Sequence, residues 1–462
     1  MKLIIVLIIV IAPFGVTFAQ NQFANHWHLG EGVHVDFSLG GPFVDDITSM
    51  NTFESTISYA NDDGELLFYS NGGRILLAES SEGKIWNRNH EVMPNGNLCD
   101  SCGCQSTWNG GVVIPDFDNS DLYHIYMTDC LENLYSYPEL HAGLRRTTID
   151  MSLDGGLGDV VEMGVPIYGD SLSPMGEGIA ATRHQNGTDY WIITHASHFP
   201  VSDTFYVFLL TDAGISDPII QAIGASGEYG IEISPDGKKL TFGNVLYNFD
   251  IGTGLISSAV DIDVFPTGQS FSPNSELLYI GDCQGLYQFD LNALDVLASR
   301  TTIYENADST SCQFGALQVG PNCKIYVVIH DKPYFGVINS PNALGLDCDY
   351  INNQLAYSPE LISNLVYPSY INSRLNCETI SIEEIKEDWS VSLAISGNTA
   401  EIHMPETRAN KTYFISDAFG RAVLSGELSE NGKTIVDISF LAQGLYYIHL
   451  DSATKGKKII KM

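Results

Sequence analysis

The sequence is poor in charge and poorer still in positive charge. Only 17% of its 462 residues are Asp, Glu, Lys or Arg, and 22 basic residues stand against 56 acidic ones, a formal net charge of −34. A surface with that balance repels phosphate backbones and anionic lipid, which excludes nucleic acid and acidic membranes as partners. Long amphipathic helical patterns are missing, so strands and helices do not alternate around a parallel sheet. Neither a GxSxG elbow nor an HExxH pair occurs. Gly155-Gly156-Leu157-Gly158 does not join a strand to a helix and makes no phosphate cradle.

The one long apolar run is at the start. Met1-Lys2 precedes LIIVLIIVIAPFGV, and Thr17-Phe18-Ala19 precedes Gln20. The run is interrupted by Pro13 and Gly15 and falls short of the roughly 20 residues that span a bilayer. One positive charge, an apolar core and small residues before Gln20 predict a cleavable signal peptide over 1–19. Nothing later resembles a membrane span. All nine cysteines lie in the exported part: Cys99, Cys102, Cys104, Cys130, Cys283, Cys312, Cys323, Cys348 and Cys377. In an oxidising space disulfides are the default, their connectivity is open, and the odd count leaves at least one thiol unpaired.

The composition supports a sizeable core, with 44% hydrophobic and 11% aromatic residues. One cassette recurs: an alternating run, a turn of Asp, Asn and Gly, and a second apolar run with aromatics. It occupies 56–79, 111–129, 178–214, 230–254, 270–292 and 315–339. Period-2 alternation and Val, Ile, Tyr and Phe enrichment mark half-buried strands. Asp63-Gly64 and Asp236-Gly237 supply the positive φ of hairpin turns. Strand-dense repeats predict the blades of a β-propeller. HWHLGEGVHVDFSLG at 26–40 reads as half a cassette, and LVYPSYINSRL at 365–375 is its complement, closing a ring of seven blades over 20–377. Residues 378–388 read as an acidic linker. Seven further short strands over 389–462 predict a small immunoglobulin-like sandwich.

That last module resembles the C-terminal sorting domain of type IX secretion cargo. TYFISDAFGRAVLSGEL at 412–428, VDISFLAQGLYYIHL at 436–450 and the basic tail GKKIIKM at 456–462 carry the resemblance. It implies recognition by the type IX machinery through 389–462, passage across the outer membrane, and release or surface attachment. The region 22–375 resembles the propeller-like part of secreted, gliding-motility-associated proteins on the same route. The phrases HWHLGEGVHVDF (26–37), WNRNHEVMPNG (86–96), MSLDGGLGDVVE (151–162), NGTDYWIITH (186–195), SPDGKKL (234–240) and PNALGLDCDYINN (341–353) carry that likeness. It implies fold and compartment, with no activity to carry over.

Candidate chemistry is sparse. Cys99, Cys102 and Cys104 would suit zinc or a redox pair, but a second ligand pair is missing, and a disulfide to a partner such as Cys130 is the better reading. His195 and His198 follow the strand DYWIITH, with His184 on the strand before, and are candidates for a base or ligand at the channel mouth. Asp116, Asp118 and Asp121 offer oxygens to calcium, although turn formation accounts for most such residues. Trp86, Trp108 and Trp191 are sugar-stacking candidates or core. The leading reading is a secreted or cell-surface propeller that binds a glycan, peptide or surface partner through loops at one mouth of the ring. The alternatives are a propeller hydrolase or lyase with a His, carboxylate or calcium site at the channel mouth, and a structural component of an extracellular matrix. Binding is favoured over catalysis.

Overall fold

The computed structural model describes residues 22–377 except 39–40, 79–80, 138–142, 170–174, 197–201, 225–229, 307–312, 362, 365–366 and 376. Beyond 389 it describes 390–393, 399–403, 412–417, 422–429, 433–442, 444–450 and 457–461. The expected signal peptide and acidic linker lie outside the described residues. The chain separates into compact units at Met1–Glu378 and Thr379–Met462. No helix among the described residues is long and apolar enough to cross a membrane.

The first unit is a seven-bladed β-propeller. Its sheets are antiparallel meanders with sequential strands as neighbours, except that in the fourth blade Ile219–Ala222 pairs with Thr204–Thr211 past the short Gly214–Ile215 hairpin strand. The six cassettes fall on the second to seventh blades. Their first strands are Ile57–Ala60, Val112–Pro115, Met175–Arg183, Ile231–Ile233, Gly268–Phe271 and Phe314–Val319, and these pack side by side around the axis. Turn chemistry holds where it matters most: Gly64 has φ +86° and Gly237 φ +74°, a region that an L side chain seldom enters. Alternation buries one side chain set from each sheet against the next. The strand Tyr190–Ala196, central in its sheet, is buried along nearly all its length.

The first blade has three strands from the N-terminus, His26–Leu29, Val33–Asp36 and Phe43–Asp45. Its innermost place is taken by the far end of the same unit. Tyr370 Oη donates to the carbonyl of His26 at 3.1 Å. The fully buried Trp27 meets Tyr367 at 4.8 Å between ring centroids, Phe37 at 4.8 Å and Tyr326 of the seventh blade at 5.5 Å. Residues 367–375 are not a ladder strand; they end in a single 3-10 turn, Asn372–Arg374. Pro368 within it has no N–H to offer a ladder. The Arg374 guanidinium sits 4.5 Å over the ring of Phe23 and 3.3 Å from Asp62. The Cys323–Cys377 disulfide then ties the closing segment to the first turn of the seventh blade.

The second unit has two antiparallel sheets in seven strands, one ordered Ser390–Leu393, Thr399–His403, Lys433–Asp437 and the other Ala422–Glu427, Thr412–Asp417, Gly444–Leu450, Lys457–Lys461. Ala400, Ile402 and Val436 from the first face Ile415, Tyr446 and Ile448 from the second in one core, as a two-sheet sandwich requires.

Candidate functional site

Alternation decides what enters the channel. Ile231 and Ile233 face the core between blades, so Glu232 between them points the other way, into the axis. Asn109, Gln269, Gln318, Ser369 and Asn372 surround it. Asn372 Nδ2 donates to Glu232 Oε1 at 2.6 Å, and Gln318 Nε2 donates to Asn372 Oδ1 at 3.3 Å. These side chains nearly fill the axis, leaving a cavity of about 40 Å³, room for very few waters. Burial pushes the Glu232 carboxyl up to about 8, with the Asn372 amide pulling it back. Some channel exposure remains, but the depth inside the ring sets the direction.

The mouth where the innermost strands begin is richer. Ser106 Oγ lies 3.2 Å from Glu54 Oε2 and 3.1 Å from Glu132 Oε1. One hydroxyl proton serves only one of two carboxylates. The second contact is satisfied when that carboxyl is itself protonated, and burial pushes Glu54 up to about 7. Glu177, at the start of the fourth blade, accepts the Leu131 N–H at 2.9 Å and is pushed up to about 8 by burial, with Glu54, Glu132 and Asp129 adding to the rise. The Cys104–Cys130 disulfide holds the two loops of this cluster together. Beside it, between the first and second blades, lies a groove of about 580 Å³. Phe53 and Trp86 supply its rings, and Asn51, Asn71, Gln105 and Asn364 its amides. Phe53 is half exposed, whereas Trp86 is mostly buried, stacked on Tyr69 at 5.3 Å.

Of the histidines singled out from sequence, His184 and His195 do not converge. His195 is buried inside the fourth blade, stacked 4.1 Å on Phe242 and edge-on to Phe205, with Nδ1 2.6 Å from the Ala196 carbonyl. His184 lies at the opposite end of that sheet, its Nε2 3.3 Å from the Gly252 carbonyl. His198 lies outside the described residues. Asp116 spends Oδ1 on the backbone N–H groups of Asp118 and Asn119 and Oδ2 on His124 at 3.1 Å, while Asp118 and Asp121 are turn residues. Trp108 lines the channel and Trp191 is core, its Nε1 donating to the Ile251 carbonyl. Among the cysteines, Cys99 pairs with Cys102, Cys104 with Cys130 and Cys323 with Cys377. Cys283 is also disulfide-bonded, Cys312 lies outside the described residues, and Cys348 is the buried free thiol. Among the described residues, one set of three metal-ligand types lies within 4.8 Å, Cys104, Asp129 and Cys130, and its two sulfurs are already bonded to each other.

The carboxylates at the axis and the mouth escaped the sequence reading, although each carries a faint signal. Glu232 is the lone charge between two isoleucines of a short strand, and Glu177 sits between glycines in an apolar one.

The C-terminal unit settles the route of export. Residues 396–462 match the family of secretion system C-terminal sorting domains. This sorting domain marks the chain as type IX secretion cargo, hence a secreted or cell-surface protein that engages that machinery. No curated protein sequence matches the chain. Solved structures similar to it include a candidate 6-phosphogluconolactonase from Bacteroides fragilis, at 12% identity, covering 74% of this chain and 98% of that one with a TM-score of 0.46. Another is the extracellular domain of a candidate one-component system from B. thetaiotaomicron, at 14% identity, 92% and 53% coverage and a TM-score of 0.42. A third is the Dos1 propeller, at 9% identity, 83% and 91% coverage and a TM-score of 0.41. Identities this low transfer no chemistry.

Proposed function

We propose that this sorting-domain cargo is an exported binding module that holds a glycan-like ligand in the groove between its first and second blades. The groove itself carries this reading: about 580 Å³ of open concavity at the loop-bearing mouth, within the size range of small-ligand sites. Its lining of ring faces, amides and hydroxyls suits a ligand rich in hydroxyl groups. Of its charged residues, Lys84 and Glu82 are joined in an ion pair at 2.5 Å. Calorimetric titration of the full chain with an oligosaccharide panel tests the reading. The expected result is binding of one oligosaccharide class, weakened about tenfold by Phe53→Ala, as loss of an exposed stacking ring implies. Binding unchanged in Phe53→Ala places the ligand elsewhere.

A second reading, a secreted hydrolase or lyase, draws support from Glu54 and Glu132 converging on Ser106, with Glu54 held near neutrality. The same panel, incubated and assayed for new reducing ends, separates the two. Turnover that Glu54→Gln abolishes favours the enzyme; binding without turnover favours the module.

A further inference from the structure

Three cysteines crowd the loop that leaves the second blade, and the structure divides them. Cys104 is taken by Cys130, while Cys99 bonds to Cys102. The bridges differ in what they hold. Cys104–Cys130 and Cys323–Cys377 join residues 26 and 54 apart in sequence, whereas Cys99–Cys102 joins residues 3 apart. Stabilisation by loop closure grows with the length of chain enclosed, so this bridge constrains the unfolded chain least. Its ends also share one turn, in which the Cys102 N–H donates to the Cys99 carbonyl at 3.0 Å. A C-x-x-C bridge placed so adds little to the fold, and its spacing is that of disulfide oxidoreductases.

The two sulfurs are unequal. Cys102 is fully buried, whereas Cys99 is partly exposed. Access decides which sulfur of a disulfide a thiolate attacks, so Cys99 is the one reached and Cys102 the one that leaves.

The surroundings suit a thiolate. The chain has 22 basic residues against 56 acidic ones, yet two arginines are drawn to this loop. Arg74 Nη1 pairs with Asp100, inside the C-x-x-C turn, at 2.9 Å. Arg145 Nη1 donates to the Gly164 carbonyl at 3.1 Å. Gly164 is the residue on which the bridge packs. It has φ +58° at an irregularity of the strand Asp159–Tyr168, and a side chain there would collide with both sulfurs. The Ser101 hydroxyl lies 3.7 Å from Cys99 Sγ, close enough to donate to sulfur. A partly exposed sulfur beside guanidinium groups is the setting in which cysteines react.

We propose that Cys99–Cys102 is a thiol–disulfide exchange site for low-molecular-weight thiols, with Cys99 the sulfur attacked and Cys102 the buried leaving sulfur. The incoming thiolate bonds to Cys99 Sγ, the Cys99–Cys102 bond breaks, and its electron pair departs on Cys102, which takes a proton from solvent. A second thiolate attacks the external sulfur of the mixed disulfide and frees Cys99, which is protonated in turn. One protein disulfide and two thiols thus become a protein dithiol and one external disulfide. The reverse sequence reduces an external disulfide.

The test is to equilibrate the folded full chain with graded mixtures of reduced and oxidised glutathione, alkylate it with iodoacetamide and read the labelled peptides by mass spectrometry. Cys99 and Cys102 should take the label in a mixture at least about tenfold less reducing than any that opens Cys104–Cys130 or Cys323–Cys377, with tryptophan fluorescence unchanged. Cys102→Ser treated with oxidised glutathione should gain one glutathione on Cys99, whereas Cys99→Ser should leave Cys102 unmodified. Label on Cys99 and Cys102 that appears only together with label on Cys323 and Cys377, or only as the folded fluorescence is lost, overturns the proposal and makes the bridge a structural clip. That titration decides even where a variant fails to fold. Glutathione on Cys102 in Cys99→Ser, with none on Cys99 in Cys102→Ser, overturns it as well.

Discussion

Asn372, on the segment that closes the ring, donates its side-chain amide to Glu232 on the innermost strand of the fifth blade, 2.6 Å away in the channel. The residue that completes the fold thus also satisfies the carboxyl at its axis. Burial still wins, and the Glu232 carboxyl rises from 4.5 to about 8. A carboxyl raised on folding contributes its full stability below the unfolded value, loses it as pH rises through the window from 4.5 to about 8, and costs nothing further beyond. Glu232→Gln should therefore flatten the decline in stability between pH 5 and pH 8. At pH 8 it should stabilise the protein by on the order of 1–3 kcal/mol, since a pKa unit carries about 1.4 kcal/mol and channel water relieves part of the burial. Urea midpoints at the two pH values measure this. Glu54 and Glu177 rise for the same reason, so some slope persists in the variant. An unchanged slope would show Glu232 to be ionised at neutral pH.

Ring closure rests on aromatic packing and on one covalent link. Cys323 and Cys377 close a loop with a sequence separation of 54. On the chain-entropy model a loop of that size is worth about 4 kcal/mol. The double variant Cys323→Ser/Cys377→Ser, which leaves no lone thiol, should lose about that much in denaturant unfolding without any change in oligosaccharide binding in the groove. A loss below about 1 kcal/mol would mean that the Trp27 cluster holds the ring shut in the unlinked chain.

The repeat was legible in the sequence because its determinants are local. Asp63-Gly64 and Asp236-Gly237 mark hairpins whatever surrounds them, and alternation fixes which residues face inward. The half-cassette at 26–40 and its partner at 365–375 could be matched because an edge strand must be covered. The segment arrived at its place, but residues 367–375 carry no ladder and end in a 3-10 turn. The site residues were less legible because they are brought together by register and by neighbouring blades. Glu54, Ser106, Glu132 and Glu177 come from three blades and meet only in the closed ring. Conversely, His195 drew attention as a lone polar group at a strand end, and it lies between Phe205 and Phe242.

His28 gives the sharpest test of how this packing is balanced. It is fully buried, with Tyr69 at 3.9 Å on one face and His34 at 4.5 Å on the other, and neither ring nitrogen has a hydrogen-bond partner. Burial drives its pKa well below the ordinary value, with His34, His90 and His26 adding to the effect, so the ring stays neutral in the fold. Stacking favours the ring, and the unpartnered nitrogens oppose it at about 1–3 kcal/mol for such a group. Phenylalanine keeps the stack and removes the buried polar atoms. His28→Phe should therefore be neutral or stabilising by about 1 kcal/mol, whereas His28→Ala, which loses the stack and opens a cavity, should cost about 2–5 kcal/mol. Paired denaturation curves measure both. A destabilised His28→Phe would mean that the nitrogens are satisfied by a bound water that the phenyl ring displaces, and the stack of His34, His28 and Tyr69 would then owe its order to hydrogen bonding as well as to stacking.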